Sequence, residues 1–523
     1  MEKRLILAIA LSLLVIIIFQ RFVVTPPSKS DMERMGKETV SDISAKELHS
    51  LTEVVVDERE FDIQTDRYIL TFSNIGGSIK RIQLKDYKNL NSNEPLNLVD
   101  IKNPKEYIFA IDEPSNLLRL DSSLYEFEKN DDTISYSLKL SNLEITKRYI
   151  LHKSKHIIEL RLIIKNKSGE PKEFGYRIIG GSGIIESNIQ DKRFVEVVSN
   201  VDGRTLHFKH PKDRQIINPG IVTWTALNSK YFSIILKPFI QTKNQFYRET
   251  KGHSLLTGIG VQEISIPSNH FVEHKFILYA GPNKISFLKD VGLDETLSYG
   301  FFGGISKALL SLLRFFYVLV HNWGVSIILL SITLNIVLFP LSLKSFKSMQ
   351  KMQELHPQME KLKSQYKDNP QKLNKEIMEL YKKHNINPFS GCLPLLLQMP
   401  IFIALYQGLI RSIELKSANF LWIKDLSMPD AVSIPFSLPL VGKTINILPI
   451  FMVMAMIIQQ RISTKSMGGA VTEEQKQQQK TMLIVMPIMF GFIFYNMPSG
   501  LVLYWVVNTI LTIVEQSLIF RKA

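Results

Sequence analysis

Two patterns of apolar residues divide the chain into two parts. Between residues 56 and 285 apolar residues occupy every second position in several short runs, for example Ile158, Leu160 and Leu162, and turn clusters such as 166–169 separate the runs. This alternation is typical of antiparallel strands that face a core on one side and water on the other. We therefore predict a β-sandwich domain over residues 56–285.

Long apolar runs replace this alternation after residue 322. A helix needs about 20 apolar residues to cross the hydrocarbon core of a bilayer, so we predict an α-helical core of five membrane spans over 322–523. The shorter runs would require either local thinning of the bilayer or flanking residues drawn into the interface. The five runs are 323–343, 393–410, 445–458, 481–495 and 501–520.

A further apolar run lies at the N-terminus, in residues 1–24, where it follows Lys3 and Arg4. A secretory signal peptide has the same layout, so the segment is either an uncleaved transmembrane anchor or a cleaved signal. We favour the anchor because no small-residue cleavage site follows the run. Residues 25–55 lack long apolar runs and are predicted to be a linker.

The segment 294–321 is apolar except for a polar stripe. Lys307, Arg314 and His321 recur every seven residues and would lie along one side of a helix. We therefore predict an interfacial amphipathic helix on the outer leaflet.

A second amphipathic pattern covers residues 344–386, where apolar residues recur at offsets of three and four. The pattern is interrupted at Asn369, which can cap a helix, and at Pro370, which suits the first helical position. We predict a helical hairpin that projects into the cytoplasm.

The positive charge of the chain lies beside the apolar runs. Residues 293–523 contain 22 basic and 13 acidic residues, whereas residues 25–292 contain 38 and 35, within a formal net charge of +14. A nucleic-acid-binding protein would concentrate basic residues in its polar domain, so we predict no DNA partner and attribute the excess to cytoplasmic loops. Six spans then place both termini in the cytoplasm and residues 25–293 in the periplasm, with the spans in the cell inner membrane of a two-membrane bacterium.

The sequence carries no recognisable catalytic or metal-binding motif. Its one cysteine, Cys392, excludes an intrachain disulfide and the zinc patterns that need several thiolates. Neither an H-E-x-x-H motif nor a Walker loop is present, and the glycine-rich cluster 180–183 does not fit G-x-S-x-G, so we predict that it forms a β-turn. We expect a protein that is not an enzyme and that uses no cofactor and no metal.

Polar residues interrupt three of the predicted spans: Asn335, Gln398, and the pair Asn508 and Thr512. Polar side chains in hydrocarbon usually face the interior of a helix bundle or a water-filled cavity. An interhelical hydrogen bond explains each one taken singly, but their spread over three spans favours a shared hydrated groove. Two other interpretations stay open. A polytopic small-solute transporter would also place polar residues in its spans, although the internal repeats common in transporters are not visible, and a membrane-anchored assembly scaffold would bind partners through the β-domain.

Four segments resemble the YidC family of membrane protein insertases in order and spacing. They are NWGVSII at 322–328, NPFSGCLPLLLQMPIFIALYQGL at 387–409, LWIKDLSMPD at 421–430 and PSGLVLYW at 498–505. The preceding part of the chain is similar to the form of the family found in two-membrane bacteria. In that form, an N-terminal transmembrane anchor and a large periplasmic β-supersandwich precede a five-span insertase core.

The resemblance implies a chaperone-like insertase that inserts and folds inner-membrane proteins, alone or with the Sec translocon, through a hydrophilic intramembrane groove. It implies nascent membrane proteins, Sec translocon components and membrane lipid as partners. The basic cytoplasmic loops either dock the ribosome or nascent chains or are ordinary positive-inside loops. Ser331 matches a polar groove residue of the family and joins Asn335, Gln398, Asn508 and Thr512 as a substrate groove residue. The residues that match the family's apolar substrate slide are Met399, Pro400, Phe402, Ile493, Tyr504 and Trp505.

One position departs from the family pattern. The family usually carries an arginine where this sequence has Asn335. An asparagine can donate and accept hydrogen bonds, but it does not attract an anion at long range. We expect either that groove polarity suffices in this chain or that Arg314 or Arg411 partly substitutes for the missing charge.

Overall fold

The computed structural model divides the chain into two compact units, of which the first ends at Thr296 and the second begins at Leu297. The predicted anchor 1–24, the predicted linker 25–55 and the motif residues 387–392 lie outside the described part of the chain. The described residues are 57–88, 94–112, 118–130, 133–185, 189–208, 215–250, 254–297, 301–367, 369–386, 393–438, 442–466, 477 and 481–521.

The first unit is a β-domain, as the period-two pattern predicts. A short helix, α1 (Ile285–Lys289), follows its last strand. The strands are β1 (Glu60–Gln64), β2 (Tyr68–Ser73), β3 (Ser78–Lys88), β4 (Pro95–Asp100), β5 (Ile111–Asp112), β6 (Glu126–Asn130), β7 (Thr133–Lys139), β8 (Leu143–Leu151), β9 (Ile157–Asn166), β10 (Lys172–Phe174), β11 (Arg177–Ser182), β12 (Glu196–Val201), β13 (Arg204–Phe208), β14 (Ile216–Pro219), β15 (Val222–Asn228), β16 (Phe232–Pro238), β17 (Thr242–Glu249), β18 (Leu255–Val261), β19 (Ile264–Ile266) and β20 (Phe271–Pro282).

Antiparallel sheets of different size form this domain. The largest has the order β13-β12-β15-β16-β20-β9-β8-β7-β6, and the others have the orders β14-β17-β18-β11-β5 and β1-β2-β3-β4. The strands β10 and β19 form a separate two-stranded ribbon. The β-sandwich predicted from the alternation is therefore a nine-stranded sheet covered by two smaller sheets.

Both smaller sheets pack on the same face of the nine-stranded sheet. The strand register aligns Leu236 with Leu278, and Leu278 with Ile158, so these side chains and Tyr149 lie on one face. Leu236 contacts the five-stranded sheet at Gly180, and Tyr149 packs edge-on against Phe72 of the four-stranded sheet with ring centroids 4.9 Å apart. One continuous apolar layer therefore joins the three sheets.

The glycine-rich cluster 180–183 corrects the sequence prediction of a β-turn. Gly180, Gly181 and Ser182 lie in strand β11, and the register against β18 shifts between Ile179 and Gly181. A Cβ atom at Gly180 would lie 2.5 Å from Cβ of Leu236. The cluster is glycine-rich because two sheets approach closely at this point, which is a tertiary constraint that local sequence does not reveal.

A buried lysine ties two loops of the β-domain together. Lys147 on β8 is fully buried, and its Nζ donates hydrogen bonds of 2.6 Å to the carbonyl oxygens of Gly76 and Phe109 and one of 3.2 Å to Oγ of Ser78. Burial lowers the pKa of Lys147 to about 7. Its hydrogen bonds satisfy two buried carbonyl groups that have left the sheet ladders.

The second unit is helical, apart from the hairpin of strands β21 (Val432–Leu438) and β22 (Gly442–Ile445). A π-helical turn, Thr481–Val485, leads into one of its helices. The helices are α2 (Gly303–Val320), α3 (Trp323–Glu354), α4 (His356–Gln365), α5 (Pro370–Lys383), α6 (Leu393–Ile410), α7 (Ile447–Ser466), α8 (Met486–Tyr495) and α9 (Ser499–Arg521).

Among the described residues, the helices long and apolar enough to cross a membrane are α2, α3, α7 and α9. Shorter apolar helical stretches cover Gln398–Ile410 and Leu483–Tyr495, where the sequence also has its shorter runs. By length and composition α2 could therefore also span, and its interfacial position stays a prediction. A β-rich domain followed by a helical membrane core confirms the predicted fold class.

The segment predicted to form a cytoplasmic hairpin contains α4 and α5. Asn369 caps α5 by accepting a 3.0 Å hydrogen bond from the backbone N–H of Lys372, and Pro370 is the first residue of that helix. Residues 344–354 of the predicted hairpin belong to α3, which continues unbroken from its apolar part to Glu354. A small core holds α4 and α5 together, formed by Leu355, Met359, Leu373, Ile377, Tyr381 and Ile386.

Candidate functional site in the helical unit

The predicted groove residues Asn335 and Asn508 meet between α3 and α9. The side-chain N–H₂ of Asn335 donates two hydrogen bonds of 2.8 Å, one to Oδ1 of Asn508 and one to the carbonyl oxygen of Ser331 on its own helix. Helix α3 begins at Trp323 because Asn322 caps it, accepting a 3.1 Å hydrogen bond from the N–H of Val325. Both asparagines are half-buried, and they form a polar contact between the two helices.

Two hydroxyl groups extend this contact along the helices. Ser331 is fully buried and donates a 2.8 Å hydrogen bond to the carbonyl oxygen of Ile327, one turn earlier on α3. Thr512 donates a 2.8 Å hydrogen bond to the carbonyl oxygen of Asn508. We call Ser331, Asn335, Asn508 and Thr512 the polar layer. All four side chains are uncharged, so the layer offers exchangeable hydrogen bonds and no fixed charge.

Gln398 has a different partner, Tyr504, which lies one turn before Asn508 on α9. Its side-chain N–H₂ donates a hydrogen bond to the hydroxyl of Tyr504, which links α6 to α9. Both side chains are buried, and Tyr504 is among the largest fully buried side chains of the described residues. The structure thus joins one predicted groove residue to one predicted slide residue.

An aromatic cluster surrounds the other predicted slide residues. Phe402 on α6 packs edge-on against Trp505 on α9, with ring centroids 4.9 Å apart. Phe490 and Phe494 on α8 complete the cluster, with centroids 5.7 and 5.3 Å from that of Trp505. Sequence reasoning missed Phe490 and Phe494, because phenylalanines in an apolar run look the same whether they face lipid or other helices.

The remaining slide residues lie nearer the surface of the helical unit. Ile493 on α8 is exposed, and its neighbour Phe492 is 80% exposed. Met399 and Pro400 on α6 are half-buried. The predicted slide therefore divides into an inner aromatic cluster of Phe402 and Trp505 and an outer apolar edge at Ile493.

The segment between α6 and α7 contains an acidic residue that sequence reasoning left without a role. Oδ2 of Asp430 accepts hydrogen bonds of 2.9 Å from the N–H groups of Ile447 and Leu448, and one of 3.2 Å from Nε1 of Trp422. Asp430 thereby caps the N-terminus of α7, where a carboxylate is favourable. Its place at the end of the motif LWIKDLSMPD was the available signal.

Arg314, which we considered as a substitute for the missing groove arginine, is held by an acidic partner. Its guanidinium forms an ion pair of 2.9 Å with Glu414, in the segment that follows α6. Oε2 of the same carboxylate accepts a 2.7 Å hydrogen bond from Ser412. The charge of Arg314 is therefore compensated locally by Glu414.

No group of histidine, cysteine, aspartate or glutamate in the described part of the chain could hold a metal ion. The helical unit instead combines apolar helices of membrane-spanning length with polar side chains at their contacts. Together with the separate β-domain, these features define a polytopic membrane protein.

Comparison with known proteins identifies the family. Residues 60–312 match the YidC periplasmic domain, and residues 315–523 match the 60Kd inner membrane protein family. A membrane protein insertase YidC from Geotalea uraniireducens is 30% identical over 100% of this chain and 99% of its own length, and one from Geotalea daltonii is 31% identical over the same shares. A third, from Blochmanniella floridana, is 32% identical over 88% of this chain and 86% of its own length.

The chain belongs to the YidC family of membrane protein insertases, which confirms the resemblance read from the four motifs. It is a multi-pass membrane protein with a periplasmic domain. A solved structure of a galactose mutarotase related enzyme from Lactobacillus acidophilus matches 42% of this chain and 97% of its own, with 11% identity and a TM-score of 0.33. That likeness is too low to support an activity.

Proposed function

We propose that this chain inserts nascent membrane proteins through the polar layer between α3 and α9. The client's short hydrophilic tail would lie beside Asn335 and Asn508 while its apolar segment moves into the bilayer. The observation that carries this proposal is the 2.8 Å hydrogen bond between these two side chains. An interhelical hydrogen bond in a membrane contributes only about 0.6 kcal/mol, so a polar tail can replace it at low cost.

Partition free energy is the main driving force in this proposal. Burial of apolar surface contributes about 25 cal/mol per Å², so a client span supplies a large favourable term without ATP. The membrane potential adds about 2.3 kcal/mol per elementary charge and 100 mV, favouring outward passage of acidic tails. The role of the polar layer is then to lower the free energy of moving the hydrophilic tail across the hydrocarbon core.

The outer edge near Ile493 is the exit that we propose for the client's apolar segment. Ile493 and Phe492 expose apolar side chains on α8, while Phe402 and Trp505 pack behind them. An apolar client helix can lie against such an edge and remain in contact with lipid. The rigid aromatic cluster would keep α6, α8 and α9 together as the client passes.

The location and partners follow from the distribution of charge. We propose an inner-membrane location with both termini in the cytoplasm, because basic residues favour cytoplasmic loops. The helices α4 and α5 expose several lysines, among them Lys361, Lys372, Lys375 and Lys382. We propose that this basic surface contacts the ribosome, whose RNA is negatively charged. Cooperation with the Sec translocon is proposed because the chain belongs to the YidC family.

Site-directed photo-crosslinking tests the proposal. A crosslinking amino acid replaces Asn508 or Asn335 in turn, and a ribosome-stalled client with a short hydrophilic tail is presented to the chain. We expect a crosslink from both positions to the tail. A crosslinker at Ile336 is the matched control, because that side chain is 67% exposed and adjacent to Asn335 in sequence. Tail crosslinks at Ile336 but not at the two asparagines would contradict the proposal.

A further inference from the structure

The asparagine pair lies far from every charged residue of its own helices. The sequence contains no Asp, Glu, Lys or Arg from Trp323 to Leu343 or from Thr481 to Val514. With a rise of about 1.5 Å per residue, Glu515 lies roughly 10 Å along α9 from Asn508, and Lys344 lies roughly 13 Å along α3 from Asn335. A client group at the pair therefore meets no opposite charge at close range on either helix.

The pair also presents a defined pattern of unused hydrogen-bonding atoms. Asn335 uses both of its side-chain hydrogens, so its remaining polar atom is the acceptor Oδ1. Asn508 uses Oδ1 as an acceptor, so its remaining group is the donor Nδ2. Within the described residues, neither Oδ1 of Asn335 nor Nδ2 of Asn508 has a hydrogen-bond partner. The pair thus offers one acceptor and one donor together.

We infer that the Asn335–Asn508 pair selects clients whose translocated tails place a neutral amide in the polar layer and discriminates against tails that place a carboxylate or an ammonium there. An amide of asparagine, glutamine or the peptide backbone carries both a donor and an acceptor and can satisfy both unused atoms. This inference rests on the proposed function and specifies the chemistry of the tail that the same site accepts.

Charged tails match the pair poorly for opposite reasons. An ionised carboxylate has only acceptors, so it can bind Nδ2 of Asn508 but is repelled by Oδ1 of Asn335. An ammonium has only donors, so it suits Oδ1 and is repelled by the amino group of Asn508. A charge within a membrane bundle is costly unless it is paired, and the pair provides no countercharge.

A client series tests the inference in vesicles that contain the full chain and have no imposed membrane potential. Three versions of one small two-span client differ at one tail residue, which is glutamine, glutamate or lysine. We expect the glutamine version to become protease-protected about tenfold faster than the two charged versions. An unpaired charge in the polar layer raises the free energy barrier to insertion of the charged tails. This ranking is measured on the wild-type chain, so it does not depend on the folding of any variant.

Substitutions in this chain test whether Asn335 determines which client tail is inserted fastest. Asn335→Arg should make the glutamate version the fastest and the lysine version the slowest. Thr333→Val is the matched control and should keep the wild-type ranking. Among the described residues, the hydroxyl of Thr333 bonds only to the carbonyl oxygen of Leu329 on its own helix.

The outcomes separate this inference from the proposed function. Equal insertion of the three versions by the wild-type chain, with slower insertion of all three by Asn508→Leu, would overturn the inference and leave the proposed function standing. If Asn508→Leu inserts every version as fast as wild type, both are wrong.

Discussion

The β-domain and the helical unit both bury polar side chains, but the chemistry of the buried groups differs. The β-domain encloses the ammonium group of Lys147 with three acceptors, two of them backbone carbonyls. At three contacts between helices in the described part of the second unit the polar pairs are neutral, namely Asn335 with Asn508, Gln398 with Tyr504 and Ser463 with Gln516. A buried amine is thus accommodated in one unit, and neutral amides are the buried polar groups in the other.

Backbone hydrogen bonding explains the difference. The carbonyls of Gly76 and Phe109 lie outside the sheet ladders and are available to accept from Lys147. Carbonyls inside a membrane helix are already bonded to the N–H groups four residues later. A helix bundle therefore has few free acceptors for a cation. A side chain that both donates and accepts can be satisfied by another such side chain, so its burial there costs less free energy.

A large effect on this comparison is expected from Lys147→Met, which keeps the length of the side chain but removes its donors. The Phe109 carbonyl would lose its side-chain donor, at about 1–3 kcal/mol, and the Gly76 carbonyl would keep only its hydrogen bond from the Ser78 hydroxyl, at about 0.5–1.5 kcal/mol. The free energy of unfolding of the β-domain should therefore fall by about 1.5–4.5 kcal/mol. Pulse proteolysis of the full chain in lipid nanodiscs, over a urea series, measures this change. Lys165→Met on the adjacent strand β9 is the control, because Lys165 is exposed. Equal midpoints for both variants would show that Lys147 does not stabilise the domain.

The same lysine makes the stability of the β-domain depend on pH. Burial lowers the pKa of Lys147 from 10.5 to about 7. Below about pH 7 the amine is protonated in both the folded and the unfolded state, and the cost of burying the charge is fully present. Between about pH 7 and pH 10 the unfolded chain binds a proton that the folded domain has released, so stability should rise with pH. Urea midpoints of wild type and Lys147→Met should therefore diverge on going from about pH 7 to about pH 9, and a constant difference would contradict this.

A matched pair of phenylalanine truncations compares the two units directly. Phe72 in the β-domain and Phe402 in the helical unit are both buried in aromatic clusters. Phe72→Ala should cost about 3–5 kcal/mol, because unfolding exposes that ring to water. Phe402→Ala should cost only about 1 kcal/mol, because lipid surrounds its ring when the helices separate and only packing is lost. Unfolding of each unit followed in the same nanodiscs gives both values, and equal costs would contradict the distinction.

The smallest effect is expected for Glu414→Gln. The ion pair with Arg314 is partly exposed, and such pairs contribute about 0–1 kcal/mol. Lys307→Gln on the same helix, α2, is the control, because the side chain of Lys307 is exposed. The hydroxyl of Ser311 bonds to the backbone carbonyl of Lys307, which the substitution keeps. Denaturant unfolding of the helical unit should barely separate the two variants. A loss of several kcal/mol for Glu414→Gln would mean that the pair is a structural element of the bundle.

The sequence predicts those parts of the fold that depend on local periodicity. Ile158, Leu160 and Leu162 alternate in sequence and are all fully buried in β9. The β-turn prediction at Gly180 failed because its glycine is required by the approach of Leu236 from another sheet. The break between α3 and α4 also escaped prediction, although Pro357 near the start of α4 was a local signal for a new helix.

In the candidate site too, the sequence predicts some features and the packing of the helices determines the others. Asn335 and Asn508 stand out in the sequence because each interrupts an apolar run, and the structure brings them together. The pairing of Gln398 with Tyr504 joins residues 106 positions apart and depends on how the helices cross. Sequence alone marks residues that need a polar partner, but the packing of the helices decides which partner each one finds.

Helix α3 is a mechanical connection between the two ends of the helical unit. Its 32 residues correspond to about 48 Å of helix, which exceeds the roughly 30 Å of hydrocarbon that it has to cross. The rod that carries Asn335 is therefore continuous with the segment leading to α4 and α5. Pro340 lies between these two ends and removes one backbone hydrogen bond. A displacement of α4 and α5 would therefore act on the asparagine contact through α3, and Pro340 is the position at which that helix would bend most easily.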